Sequence, residues 1–114
     1  MDEIDEQMNT LARIERDELD RAFREALRTI GGKRLIYWML EQCAIYRDAY
    51  TGDAASTNYM LGQQSSGRKL IAKLDEIDAQ FYPQLLMDIA EIRSRDRAAA
   101  EAIDKPETDD EEAP

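Results

Sequence analysis

The chain is predicted to be all-α: a small bundle of three to four helices around a central apolar helix at about residues 32–47, with acidic flexible ends. Three observations predict it. The stretch Gly31 to Arg47 is apolar around almost every side of a helix, which is the pattern of a helix packed on several sides. Apolar residues recur at spacings of three and four on either side of it, as helical stripes do. The breaks between stripes carry turn chemistry: Gly31-Gly32, Thr51-Gly52-Asp53 and the approach to Pro83.

Within residues 1–16, Ile4, Met8 and Leu11 recur at helical spacing in an otherwise polar, acidic segment. A helix of that length is marginal in isolation, so the segment is expected to be partly disordered or ordered by a partner. A helical domain is expected over 17–103. Its first stripe is Leu19, Ala22, Phe23, Ala26, Leu27 and Ile30, with Asp17, Glu18 and Asp20 suited to a helix start and Arg28 to its end. Gly31-Gly32 is expected to stop that helix, because glycine takes the left-handed cap conformation readily. In the central helix, Leu35, Ile36, Met39, Cys43 and Tyr46 form one face, and Trp38, Leu40, Ala44 and Ile45 fill much of the rest.

Asp53 or Ser56 can cap the next helix, whose apolar residues are Tyr59, Leu61, Leu70, Ile71, Leu74 and Ile77. Between them runs Gly62 to Lys69, with no large hydrophobe. Either the helix is interrupted there, or small residues let another backbone approach. A continuous or slightly kinked helix is the expectation, against a cost of roughly 1 kcal/mol per glycine relative to alanine. Pro83 suits the first turn of the last helix, whose buried stripe is Leu85, Leu86, Ile89, Ala90 and Ile92. Beyond Arg93 the helix is expected to project into solvent. Residues 104–114 are expected to be a disordered acidic tail.

With 114 residues, one domain with a modest core is the natural count. The net charge of −10 sits at the ends. Residues 1–20 hold eight acids against Arg13 and Arg16, giving −6; residues 104–114 give −5; residues 21–102 give +1. A near-neutral body argues against direct nucleic-acid binding. The apolar runs are too short for a membrane span, and Met1-Asp2-Glu3 is acidic where a secretory leader is basic. One cysteine and no histidine exclude an internal disulfide, a Ser-His triad or a His-activated thiol within one chain. No enzyme and no cofactor are expected.

Several constellations invite a sharper reading. Arg34 and Trp38 sit four apart, as do Tyr46 and Tyr50, which could stack bases but fits core aromatics rimmed by charge better. Lys33-Arg34 and Arg68-Lys69, with Lys73, are two basic patches that could meet and receive an anionic partner or an acidic tail; a solvated helix face is the plainer reading. Cys43 reads as an inert core thiol. Gly62 to Lys69 lacks the spacing of a phosphate loop, and Asp75, Glu76 and Asp78 lack the alternation and the loop glycine of a calcium site.

Gly32-Lys33-Arg34-Leu35-Ile36-Tyr37-Trp38-Met39-Leu40-Glu41, followed by Cys43 to Arg47, Tyr50-Thr51-Gly52, Asn58, Gly62 and Gly67-Arg68, resembles a family of small tailed-phage proteins first named from a Bordetella podophage. The likeness covers roughly residues 20–93. Members usually pair a Gly-Arg-Arg-x-Leu-x-Trp-x-Leu-Glu helix with a later Asn…Gly-Arg segment; Tyr82-Pro83 departs from the family's Asp-Pro turn. The resemblance implies a gene among portal, scaffold and capsid genes, and no catalytic residue. The expected function is a non-enzymatic factor of virion assembly, or a head/neck component, present in the host cytoplasm during assembly or in the virion. Its expected partners are portal, capsid or tail proteins, or further copies of itself. Ile4, Met8, Leu11, Arg34, Trp38, Arg68 and Lys69 are the candidate partner-binding residues. The alternative is an acidic regulator that blocks a basic nucleic-acid-binding surface of a phage or host protein.

Overall fold

The first helix begins where the sequence offers a cap. The Asp2 side chain accepts from the Asp5 backbone N–H at 3.0 Å, and Glu3, Asp5 and Glu6 place negative charge on the first turn. From there α1 (Glu3–Ala26) runs without a break. The computed structural model describes residues 2–104 and holds three further helices, α2 (Ile30–Gln42), α3 (Ala54–Ile77) and α4 (Phe81–Asp104). The division at residue 16 therefore lies inside α1, and the segment that was expected to be partly disordered is helical. All but residue 104 of the acidic tail lies outside the described residues.

The turn between α1 and α2 is made by Thr29, not by the glycine pair. Its Oγ1 accepts from Gly32 N–H at 2.9 Å and donates to the Ala26 carbonyl at 3.2 Å, closing one helix and opening the next. The glycines thus sit in the first turn of α2 instead of stopping α1. Gly32 is needed there, since a Cβ on it would run into the Ala26 carbonyl.

The central helix spans 30–42 instead of 32–47. Its N–H groups at Cys43 and Ala44 still bond back to Met39, Leu40 and Glu41, but Ala44 turns left-handed at φ 57° and ends the helix. α2 does contact each of the other three helices, yet it is buried on one side only. Ile36 and Leu40 face inward, while Leu35, Trp38 and Met39 are exposed. At 13 residues α2 is about three and a half turns long, and only its Ile36–Leu40 stripe is buried.

α3 is continuous through Gly62 to Lys69, and the reason is visible at Gly67. It is buried, and a Cβ there would meet the Ile45 methyl group and stand 2.8 Å from Cys43 Cβ. Small residues let α3 lie against the turn that follows α2. Gln64, 5% exposed, reaches into the same turn and donates to the carbonyls of Ala44 (3.1 Å) and Arg47 (2.7 Å). Both carbonyls belong to the turn beyond α2, where Ala44 also accepts from the Arg47 N–H at 3.2 Å.

The core is Ile36, Leu40, Leu74, Leu85, Ile89 and Ile92. Phe23, Ala26 and Leu27 of α1 pack only on its edge, and Leu86 and Ala90 point outward. Both long ends leave the core. On α1, residues 2–19 are all exposed; on α4, everything after Ile92 is. The molecule is accordingly long and thin, 87 × 40 × 20 Å.

Candidate partner-binding surfaces

The projecting half of α1 carries the first candidate surface. Its 17 exposed helical residues, 3–19, reach about 25 Å at 1.5 Å per residue. Ile4, Met8 and Leu11 are 65, 63 and 59% exposed on one face, with no other element over them among the described residues. The same face continues inward past the exposed Ala22 to Ala26, which packs against the core. Fully burying the three side chains would return roughly 3–5 kcal/mol. Association alone costs about 4–15 kcal/mol. The three anchors therefore need help from neighbouring contacts to hold a partner.

That neighbourhood contains a feature the sequence reading passed over. Glu15 and Glu18 follow Met8 and Leu11 by seven residues each, so Ile4, Met8, Leu11, Glu15 and Glu18 fall within about an 80° arc of the helix. Both glutamates are exposed. Glu18 meets Arg21 at 3.5 Å on the open surface, and Glu15 forms no ion pair among the described residues. The spacing of four and three was legible; the stripe was read for its apolar members alone.

The second candidate surface lies where α2 crosses α4. The Arg34 guanidinium donates through both terminal nitrogens to the Asp96 carboxylate, at 2.7 and 2.9 Å. This bond first, with the attraction between the charges and against the opposing effect of desolvation, holds Asp96 below the usual carboxylate range and Arg34 above its own. Arg93 donates to Glu41 at 3.0 Å and lies 4.8 Å from the centre of the Tyr37 ring. Between these pairs is a shallow depression of about 210 Å³ floored by Ile89 and Ile92 and walled by Arg34, Trp38 and Arg93. Trp38 is 55% exposed, so it is a surface aromatic and not the core residue expected.

The tyrosine cluster lies at the edge of the core, with Tyr37 and Tyr82 half-buried and Tyr46 exposed. Tyr37 and Tyr46 stack at 5.6 Å, and the Tyr46 hydroxyl shares a 2.9 Å hydrogen bond with Tyr82. Partial burial first, and that bond second, raise the Tyr46 pKa far above its ordinary value. Tyr50 stands apart at 76% exposure.

The two basic patches are not brought together by any contact among the described residues. Lys33 is paired with Asp88 of α4 at 2.9 Å and Lys73 with Asp20 of α1 at 2.7 Å, so both fasten helices to one another. Arg68 stands 3.5 Å from Gln64 on its own helix, beside the turn after α2, and Lys69 is exposed. Cys43 is half-buried under Gly67. No three His, Cys, Asp or Glu side chains among the described residues could hold a metal ion. None of the described helices is long and apolar enough to cross a membrane. No protein-family model, curated protein or solved structure matches the chain.

Proposed function

We propose that this is a non-enzymatic bacteriophage protein that acts in particle assembly, or as a head/neck component, by binding other phage structural proteins through α1. One observation carries the reading: 17 helical residues stand clear of the body with an apolar face that no other described residue covers. An amphipathic helix presented in this way is the binding half of helix-in-groove recognition. The resemblance of Gly32 to Arg47 to small tailed-phage proteins supplies the phage context, a gene among portal, scaffold and capsid genes, and from it we infer portal, capsid or tail proteins as partners. The absence of histidine from the sequence fits a role in which no proton is moved.

The test is mass spectrometry of purified particles and empty procapsids, followed by binding assays against the portal, capsid and tail proteins encoded beside this chain. The chain is expected in one of the two kinds of particle at a fixed ratio to portal. Removal of residues 2–16 is expected to abolish its binding while the α2–α4 body stays folded. Absence from both kinds of particle, or binding that survives the deletion, overturns the reading.

A further inference from the structure

We infer that the partner of α1 is a different protein, and that its groove is apolar at the far end and lined with lysine or arginine at the end nearer this protein's body. The inference rests on the docking role given to α1 above and names the chemistry of what docks there. One face carries Ile4, Met8 and Leu11 and then, one turn on, Glu15 and Glu18, with the exposed Leu19 at its flank. A groove that covers the whole face takes in both carboxylates. Burying a carboxylate without a cation is strongly unfavourable, and the chain offers Glu15 no cation of its own among the described residues. Residues 2–18 hold seven acids against Arg13 and Arg16, so the wider field also favours a basic partner.

The same residues argue against a second copy of this chain. Two α1 helices side by side in parallel register set Glu15 against Glu15 and Glu18 against Glu18. Antiparallel pairing centred between Leu11 and Ala12 sets Glu15 against Met8. Neither arrangement gives the buried carboxylates a cation, and both bring together two helices of the same net negative charge. A basic rim also supplies what the three apolar anchors lack.

The full chain, wild type and variant, is measured against purified portal, capsid and tail proteins one at a time. Glutamine keeps the size and helix propensity of glutamate, so E15Q/E18Q is expected to retain its circular dichroism. It is expected to weaken binding about tenfold at roughly 0.15 M salt and to flatten the salt dependence of the wild type. Carbodiimide coupling is expected to join Glu15 or Glu18 to a lysine of the partner. If I4S/L11S abolishes binding while E15Q/E18Q leaves it and its salt dependence unchanged, the helix docks but the basic rim is wrong. Coupling of Glu15 to a lysine of another copy of this chain also overturns the inference. If I4S/L11S binds as well as wild type, or if none of these proteins binds, the docking role itself falls and the inference falls with it.

Discussion

Arg34 and Asp96, 62 positions apart in the chain, meet through two parallel hydrogen bonds of 2.7 and 2.9 Å. Asp96 lies one turn beyond Ile92, the last buried residue of α4. The pair therefore extends the contact between α2 and α4 past the point where the core ends. In a D96A variant, hydrogen exchange is expected to quicken at the amides of residues 93–98, while the core amides of α2 keep their protection. Unchanged exchange across that turn would show that the pair restrains nothing.

Acid should loosen the same interface. The Lys33 ammonium, with Gln84, holds Asp88 below the ordinary carboxylate value of 3.8, and Arg34 does so for Asp96. A carboxylate whose folded pKa is depressed stabilises the fold fully above its unfolded pKa, and the contribution is lost as the pH falls through the folded value. Thermal stability is thus expected to be flat from neutral pH to about 5 and to fall below 3.8. D88N should start lower at neutral pH and show a shallower decline in that window. A decline of the same slope in D88N would rule out Asp88 as its source.

Glycines in α3 should respond in opposite directions. G67A puts a methyl group into Ile45 and Cys43 and is expected to destabilise by about 1–3 kcal/mol. G62A meets nothing within 4 Å and is expected to stabilise by about 0.5–1 kcal/mol through helix propensity. Urea unfolding of the two variants, compared by midpoint at constant slope, decides the matter.

Gln64 is expected to matter more for stability than any charged residue of α3. Q64A takes the side-chain donor from the Arg47 carbonyl and leaves the Ala44 carbonyl only its bond from the Arg47 N–H, at a cost of about 1–3 kcal/mol. Q64E is no better, since its carboxylate cannot donate to either carbonyl; a Q64E chain as stable as wild type would contradict the bonding described.

Core and stripe should separate cleanly. Leu40 is fully buried, and L40A is expected to cost about 2–5 kcal/mol. L11S, on the open face of α1, should stay within about 0.5 kcal/mol of wild type. Equal losses in the two would mean that α1 is folded back on the body in solution.

The helices themselves were legible because each carries its own periodicity, and α4 even announces its last core residue: after Ile92 the large apolar side chains stop until Ile103. What misled at Gly31-Gly32 was a competition between two signals. Leu27 and Ile30 extend the stripe of α1 by spacing, while Thr29 offers an N-cap to Gly32, and the cap prevails because the chain must reverse there. Trp38 was placed in the core on hydrophobicity alone, but a helix apolar on all sides does not say how many sides its neighbours reach. The pairs Arg34–Asp96, Glu41–Arg93 and Lys33–Asp88 join residues more than fifty positions apart, and no local pattern marks such partners. Of the candidate surface, Ile4, Met8 and Leu11 were readable from spacing; that they stand on an uninterrupted helix was not, since a segment so acidic is marginal until the rest of α1 continues it.

The outer part of α4 has a practical corollary. Twelve residues separate Ile92 from Asp104, about 18 Å of helix, and past the Arg34–Asp96 pair none of them is tied to another helix among the described residues. A dye, an affinity handle or a whole fluorescent domain attached there sits a clear distance from every packed side chain. Such a reporter lets the tip of α1 be watched as it engages, without the label taking part in what it observes.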